Sequence, residues 1–219
     1  AFDAERVDSF ELGVKWRSSD RRARISAAVY WMEVDGLQRE VNVPSTTSGL
    51  AQSVFNTADA RLRGAELEAE FAVTERLKLS ANLGYIDARY TRAFFDINSS
   101  GTVDQGDLDL DLPRAPEWTW GGAVNWTAPL SGAASVFANV FFQRRSRYAY
   151  TDNNWGYNEP SERLDASLGI NLGIPNISVS LFGRNLLDQA QFGGDTQLGF
   201  SGGPLSDGNN RPYDPNPAA

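Results

Sequence analysis

The residues best suited to chemistry lie in one stretch, Asp96-Ile97-Asn98-Ser99-Ser100-Gly101-Thr102-Val103-Asp104-Gln105-Gly106-Asp107, where oxygen-bearing side chains alternate around a glycine. Calcium takes six to eight hard oxygens at ~2.3–2.6 Å, and a twelve-residue loop with a central glycine can bring them to one side of the chain. Asp96, Asn98, Ser100, the Thr102 carbonyl, Asp104 or a water it holds, and Asp107 have that spacing, with Gly101 at the turn and Val103 as the apolar residue after it. Ser100 stands where a third acid is usual, so an isolated loop of this kind would bind calcium weakly and serve to order the segment. The plain alternative is a solvated Asp/Gly/Asn loop.

Other candidates follow further along the chain. Arg144, Arg145 and Arg147 could clasp lipopolysaccharide phosphates or an anionic substrate through paired guanidinium hydrogen bonds, or neutralise nearby acids in a channel. Tyr148, Tyr150, Trp155 and Tyr157 could stack on a sugar ring or an aromatic chelator, or pack among themselves. Glu66, Glu68 and Glu70 line one face of one segment; such a regular row is expected to meet Lys and Arg from neighbouring strands and not to perform acid–base catalysis.

Composition narrows the field. There is no Cys and no His, and the formal net charge is -8. Thiol nucleophiles, disulfide scaffolds, His-ligated metals and Ser-His-Asp triads all lose their central residue. Nucleic acid is not the expected partner, because phosphate binding needs a basic surface. No organic cofactor and no enzyme activity are expected. No run reaches the ~18 apolar residues of a transmembrane helix, and Ala1 to Phe10 lacks the pattern of a secretory signal.

The elements that must position these residues are strands. Apolar side chains alternate with small or polar ones in eight segments, the two-residue period of a strand. Phe10, Leu12, Val14 and Trp16 oppose Glu11, Gly13 and Lys15; Leu164, Ala166, Leu168, Ile170, Leu172 and Ile174 oppose Asp165, Ser167, Gly169 and Asn171. The others run near 24–31, 64–73, 77–85, 117–126, 135–143 and 177–184. A soluble sandwich alternates too, but here the polar face is poor in Lys and rich in Ser, Gly and Asn, and the strands exceed the usual ~5–6 residues. Trp118 and Trp126 lie on one face, and eight residues at ~3.3 Å tilted about 40° span roughly 20 Å, close to the apolar band of an outer-membrane barrel. Tight turns at 18–21, 74–76, 130–133 and Pro175-Asn176 alternate with long segments at 34–54, 94–114, 149–162 and beyond 190. Short turns are periplasmic and long loops extracellular in such barrels, which puts both chain ends outside the cell, the sign of a fragment. Gly202 to Ala219 reads as an extracellular loop whose next strand is missing.

Glu11-Leu12-Gly13-Val14-Lys15, the stretch Asn56 to Glu68, Gly84-Tyr85-Ile86-Asp87-Ala88, Leu112-Pro113-Arg114-Ala115-Pro116-Glu117 and Gly183-Arg184-Asn185-Leu186-Leu187-Asp188 resemble, in order and spacing, the C-terminal barrel region of TonB-dependent outer-membrane receptors. The resemblance implies an all-β, antiparallel up-and-down transmembrane β-barrel, here about eight strands of 22, with residues 1–219 a partial barrel lacking the plug, the upstream strands and the terminal strand. It implies the bacterial outer membrane, contact with its lipid and lipopolysaccharide, coupling to the TonB complex through missing N-terminal parts, and uptake of a scarce small nutrient such as a ferric siderophore, cobalamin or a carbohydrate. The 96–107 loop is similar to dockerin-type calcium loops, which also close with Asp. Two other classes stand beside this reading: a self-contained eight-stranded barrel with an adhesive or structural role, and a soluble calcium-binding β-module.

Overall fold

The computed structural model describes residues 2–45, 49–174 and 177–190, with backbone alone at 42–45 and 49–51. Its strands are β1 (Arg6–Arg17), β2 (Ala23–Ser45), β3 (Gly49–Ala72), β4 (Leu77–Ala93), β5 (Trp118–Pro129), β6 (Ser135–Arg145), β7 (Tyr148–Ala149), β8 (Tyr157–Asn158), β9 (Ser161–Asn171) and β10 (Ser178–Gly183), with one short helix, α1 (Gln105–Leu108). Eight of the strands form one antiparallel sheet in the order β1-β2-β3-β4-β5-β6-β9-β10, and β7 pairs with β8 as a separate ribbon. This is the expected meander. There is no second sheet packed face to face, as a soluble sandwich requires, among the described residues. Nor do β1 and β10 pair with each other, so the sheet is open and a self-contained eight-stranded barrel is not what these residues form. The Pro175-Asn176 turn and everything from 191 onward, including the expected loop at 202–219, lie outside the described residues.

Tight connections lie at one end. Ser18 and Asp20 fold the β1–β2 turn, Asp20 accepting from the Ser18 hydroxyl at 2.6 Å and from the Arg22 amide at 3.1 Å. Thr74 Oγ1 accepts from the amides of Arg76 and Leu77 before β4. At the other end the 34–54 segment is not the long loop expected from the alternation of short and long connections. β2 and β3 run on to Ser45 and Gly49 as one long ribbon. Their register slips between Val34 and Gln38, where Gly36 adopts φ +66, a conformation cheap only for glycine.

Residues paired across an antiparallel sheet point to the same side, so the register fixes the two faces. One carries Phe10, Leu12, Val14 and Trp16 with Val29, Leu67, Leu83, Trp120, Val124, Val140, Leu168 and Leu181, and these apolar groups are exposed, Leu12 at 75% and Leu181 at 80%. The upper edge of this band does not follow the rungs. Phe10 and Trp31 start it on β1 and β2, but their partners on that rung, Arg63 and Asp87, are an ion pair at 2.7 Å. One same-face rung lower, Tyr85 meets Trp118 with ring centroids 4.6 Å apart. One lower still, Trp120 pairs with Arg144 and then Glu162, again charged, so on β6 and β9 the band starts at Phe142 and Leu164. The edge has moved six residues in six strand steps. At ~3.3 Å per residue and ~4.8 Å per strand this is a slope of roughly 35°, the tilt of strands in a membrane barrel.

The opposite face is polar at this level. Ser26, Ser80, Asn82, Asn125, Asn139 and Ser167 lie on it, Asn139 donating to Ser167 Oγ at 3.1 Å. Aromatic rings on this side fit where a neighbour is glycine: a Cβ on Gly64 would stand 2.4 Å from Tyr30 Oη. Of Glu66, Glu68 and Glu70, only Glu70 faces an expected cation, Arg24 on its own rung. Their rung partners are Ala28 and Gly84, Ser26 and Asn82, Arg24 and Ser80, and no ion pair involves them among the described residues.

Candidate functional site

Above the aromatic row the sheet reverses its polarity. The face that was apolar becomes charged, with Arg61 and Arg63 over the Trp31 ring at 5.2 and 6.0 Å and Arg89 on Asp87 at 2.6 Å. The face that was polar becomes apolar, with Met32, Val34, Leu62, Ala60 and Tyr90. The 94–117 segment covers this second patch. Ile97 and Leu112 are buried with Val34, Leu37, Ala58, Ala60 and Tyr90 in the one apolar cluster that forms among the described residues, and Leu108 and Leu110 pack against it. Phe95 meets Phe55 of the long ribbon at 5.7 Å, and Asp111 bridges back to Arg89.

The loop expected to hold calcium sits at the end of this strap. Asp107 is fully buried; its Oδ1 accepts from the amides of Ile97 and Asn98, and its Oδ2 from that of Asp104. Asp104 caps α1 in a reciprocal capping box with Asp107. Asp96 accepts from the amides of Ser100 and Gly101, Asn98 Oδ1 from Ser100, and the Ser100 hydroxyl donates to the Thr102 carbonyl. The donor set has the hard oxygens calcium needs, yet these oxygens are turned onto the loop's own N–H groups. No three acidic side chains converge on a common point among the described residues.

The arginine cluster is divided by the sheet. Arg144 stands on the apolar side, ion-paired with Glu162. Arg145 stands on the opposite side, its guanidinium 4.8 Å from the Tyr148 ring centroid. Arg147 lies at the rim, 3.6 Å over Tyr157 and 3.3 Å from Glu159. Trp155 is exposed, while Tyr157 donates to Asp111 at 3.2 Å. Burial and the adjacent Asp111 raise the Tyr157 phenol above its ordinary pKa. Asn154 stitches the two loops, donating to the Asp111 carbonyl at 2.8 Å and accepting from its amide at 2.6 Å. Arg39 pairs with Asp152 at 2.9 Å and Tyr90 donates to the same carboxylate at 3.5 Å; burial first and Asp152 second push the Tyr90 phenol well up.

Two adjoining clefts open between strap and sheet. One, about 420 Å³, is lined by Tyr30, Met32, Arg39, Leu62 and Arg114. The other, about 310 Å³, is lined by Arg114, Pro116, Arg145, Tyr148, Tyr150 and Asn158. Arg114 belongs to both and was not marked by its spacing in the sequence; its clue is the Leu112-Pro113-Arg114-Ala115-Pro116 stretch, where two prolines stiffen the strap. It holds φ +61, a conformation that costs a non-glycine residue about 1–3 kcal/mol and clusters at binding sites.

An open, sloping sheet with an aromatic-edged apolar face, tight turns at one end and packed loops at the other defines a section of outer-membrane β-barrel wall. The family description "TonB dependent receptor-like, beta-barrel" matches residues 1–186, and the chain belongs to that family, whose members are proteins of the bacterial outer membrane. It is 24% identical over 193 residues to a probable TonB-dependent siderophore receptor, PiuA, of Acinetobacter baumannii, covering 87% of this chain and 24% of the relative. It is 27% identical over 131 residues to the ferrichrome outer membrane transporter/phage receptor of Escherichia coli K12, covering 60% and 16%. Among solved structures, the ferric yersiniabactin uptake receptor FyuA of Yersinia pestis superposes with a TM-score of 0.66 at 19% identity, over 84% of this chain and 25% of that one. The chain thus spans about a quarter or less of the length of these relatives.

Proposed function

We propose that this chain is a wall section of a TonB-dependent active transporter that takes up a scarce nutrient, such as a ferric siderophore or a carbohydrate, across the outer membrane. The observation that carries the reading is the pair of clefts between strap and sheet on the lumen-side face, where Arg39, Arg114 and Arg145 and the rings of Tyr30, Tyr148 and Tyr150 stand among apolar side chains, with Glu66 in the larger cleft. A ligand arriving from outside meets these before the polar wall below. Energy reaches the transporter from the TonB complex through parts outside this chain. Cells carrying the intact gene are expected to accumulate one labelled nutrient only when TonB is functional, and a clean deletion to abolish that uptake. Equal accumulation with and without the gene, across ferric chelates and oligosaccharides, overturns the reading.

Two ligands of the outer surface go with it. Arg61, Arg63, Arg89 and Arg144 stand just above the aromatic edge on the lipid side, where lipopolysaccharide phosphates lie. For the 96–107 loop we propose calcium, supported by ligand spacing; the ion would exchange with the amide–carboxylate hydrogen bonds described above. Calorimetric titration of the intact receptor and of its Asp96→Ala/Asp107→Ala variant is expected to show heat only for the former.

A further inference from the structure

We propose that Arg21, Arg22 and Arg76, on the tight turns that join β1 to β2 and β3 to β4, form a seat for the phosphate of an anionic phospholipid in the periplasmic leaflet. The inference does not depend on which nutrient the receptor takes up.

Depth is the first argument. The lower edge of the apolar face runs through Trp16 on β1, Ala23 and its rung partner Phe71 on β2 and β3, and Leu77 and its partner Trp126 on β4 and β5. Arg22 and Arg76 stand one residue beyond that edge and Arg21 two. At ~3.3 Å per residue and a tilt of about 40° they lie within roughly 5 Å of the hydrocarbon, inside a headgroup layer about 5–8 Å deep. Lipid phosphates occupy that layer. Charge is the second argument. On these two turns Arg17, Arg21, Arg22 and Arg76 stand against two acids, Asp20 and Glu75, whereas the connections 128–135 and 172–177 at the same level carry no charged residue. None of the four arginines forms an ion pair among the described residues, and Asp20 is turned onto the Ser18 hydroxyl and the Arg22 amide.

The backbone supplies the third argument. Gly132 and Gly173 take φ +62 and +71 in the β5–β6 and β9–β10 connections, but in the β1–β2 turn the left-handed residue is Arg21, at φ +60. Glycine adopts that conformation without strain and arginine does not. A charged side chain held where glycine is the cheap residue points to work outside the fold. Arg22 makes the platform rigid. Its guanidinium donates through Nε to the Ala72 carbonyl at 3.0 Å and through Nη2 to that of Val73, while the Ala72 amide donates to the Arg22 carbonyl at 2.7 Å. The two turns are thereby joined, and three of the five guanidinium N–H groups remain for a phosphate, which takes paired donors from arginine. A zwitterionic headgroup would bring its own cation against this patch, so the patch selects lipids of net negative charge.

The test uses the intact receptor in detergent, with native mass spectrometry reading how much of a titrated phospholipid stays bound. The probes are phosphatidylglycerol and phosphatidylethanolamine, against wild type, Arg21→Gln, Arg76→Gln, the double Gln variant and, as a control at the opposite end of the sheet, Arg61→Gln/Arg63→Gln. Arg22 is left in place because it also joins the turns. Phosphatidylglycerol is expected to bind wild type more tightly than phosphatidylethanolamine, and to lose about fivefold in affinity for each Gln substitution and roughly twenty-fivefold for both. The control variant is expected to keep the wild-type affinity, and strand circular dichroism to be unchanged throughout. The seat is overturned if wild type holds the two lipids equally, or if the double Gln variant keeps its phosphatidylglycerol affinity within about twofold while folded. Loss of phosphatidylglycerol in the Arg61/Arg63 variant instead would overturn it as well, by placing the lipid at the outer rim.

Discussion

The sheet is one continuous structure with two unlike halves. In the wall, from the tight turns to the aromatic row, the exposed side is apolar and the lumen side polar; in the cap above it the order is reversed. Among the described residues, and apart from glycines, the buried ones all belong to the cap: Val34, Leu37, Thr57, Ala58, Ala60, Tyr90, Ile97, Asp107, Leu112, Ala149, Asn153, Asn158 and Ser161. The difference teaches what each half uses as solvent. Hydrocarbon satisfies the wall's apolar face, so the wall needs no core of its own and relies on ladder hydrogen bonds. The cap stands in water on its outer side and must build a small core, which the strap supplies.

The comparison can be broken first in the cap. Truncating Leu112 to Ala removes a buried side chain from the apolar cluster and is expected to cost about 2–5 kcal/mol of local stability. Hydrogen exchange should then speed up in the strap and the long ribbon while the wall amides keep their protection; uniform loss of protection would mean that wall and cap are one unit.

The wall is probed by charge. Leu168 sits on the apolar side midway along the band of β9 and Ser167 on the other. Leu168→Arg is expected to destabilise the intact receptor by about 2–4 kcal/mol in lipid, with Ser167→Arg near neutral. Denaturant titration in vesicles reads the difference, and equal effects would contradict the assignment of faces.

A smaller effect is expected at Asp107. Its carboxylate holds three backbone amides, so Asp107→Ala is expected to loosen the strap by about 1–3 kcal/mol, seen as faster protease cleavage between 96 and 107. The smallest belongs to the β1–β2 turn. The Ser18 hydroxyl, then the Arg22 amide, hold the Asp20 carboxyl below its usual pKa. A lowered folded-state pKa stabilises above the unfolded value, and that contribution disappears as pH falls through the folded value. Asp20→Asn should therefore lower the melting temperature slightly at pH 7 and leave it unchanged at the acid end of the titration.

Most of the wall was legible in the sequence because lipid contact imposes strict alternation, and strands such as 10–17 and 164–171 show it without interruption. The cap was not legible in the same way. Gly36 inserts a bulge that shifts the register, so the alternation beyond it no longer matches the strand below and the 34–54 ribbon reads as a loop. Ile97 and Leu112 become core only through contact with strands far away in the chain, and no local period marks them. The acidic spacing at 96–107 reads as a calcium loop, with a solvated loop as the alternative; the same carboxylates that suit a cation also suit the backbone amides that they hold here. Arg144 and Arg145, adjacent in sequence, part to opposite faces because a strand places neighbours on opposite sides.

The central claim is that the face carrying Leu168 and Ile170 meets lipid while that carrying Ser167 and Gly169 meets the lumen. This chain contains no cysteine; with any cysteine elsewhere in the intact receptor replaced by serine, single cysteines can be placed one at a time from Leu164 to Asn171 in its membrane. A lipid-soluble quencher of an attached fluorophore should act at 164, 166, 168 and 170, and a water-soluble maleimide should label 165, 167, 169 and 171 faster. Loss of this two-residue alternation, or its inversion, would contradict the account.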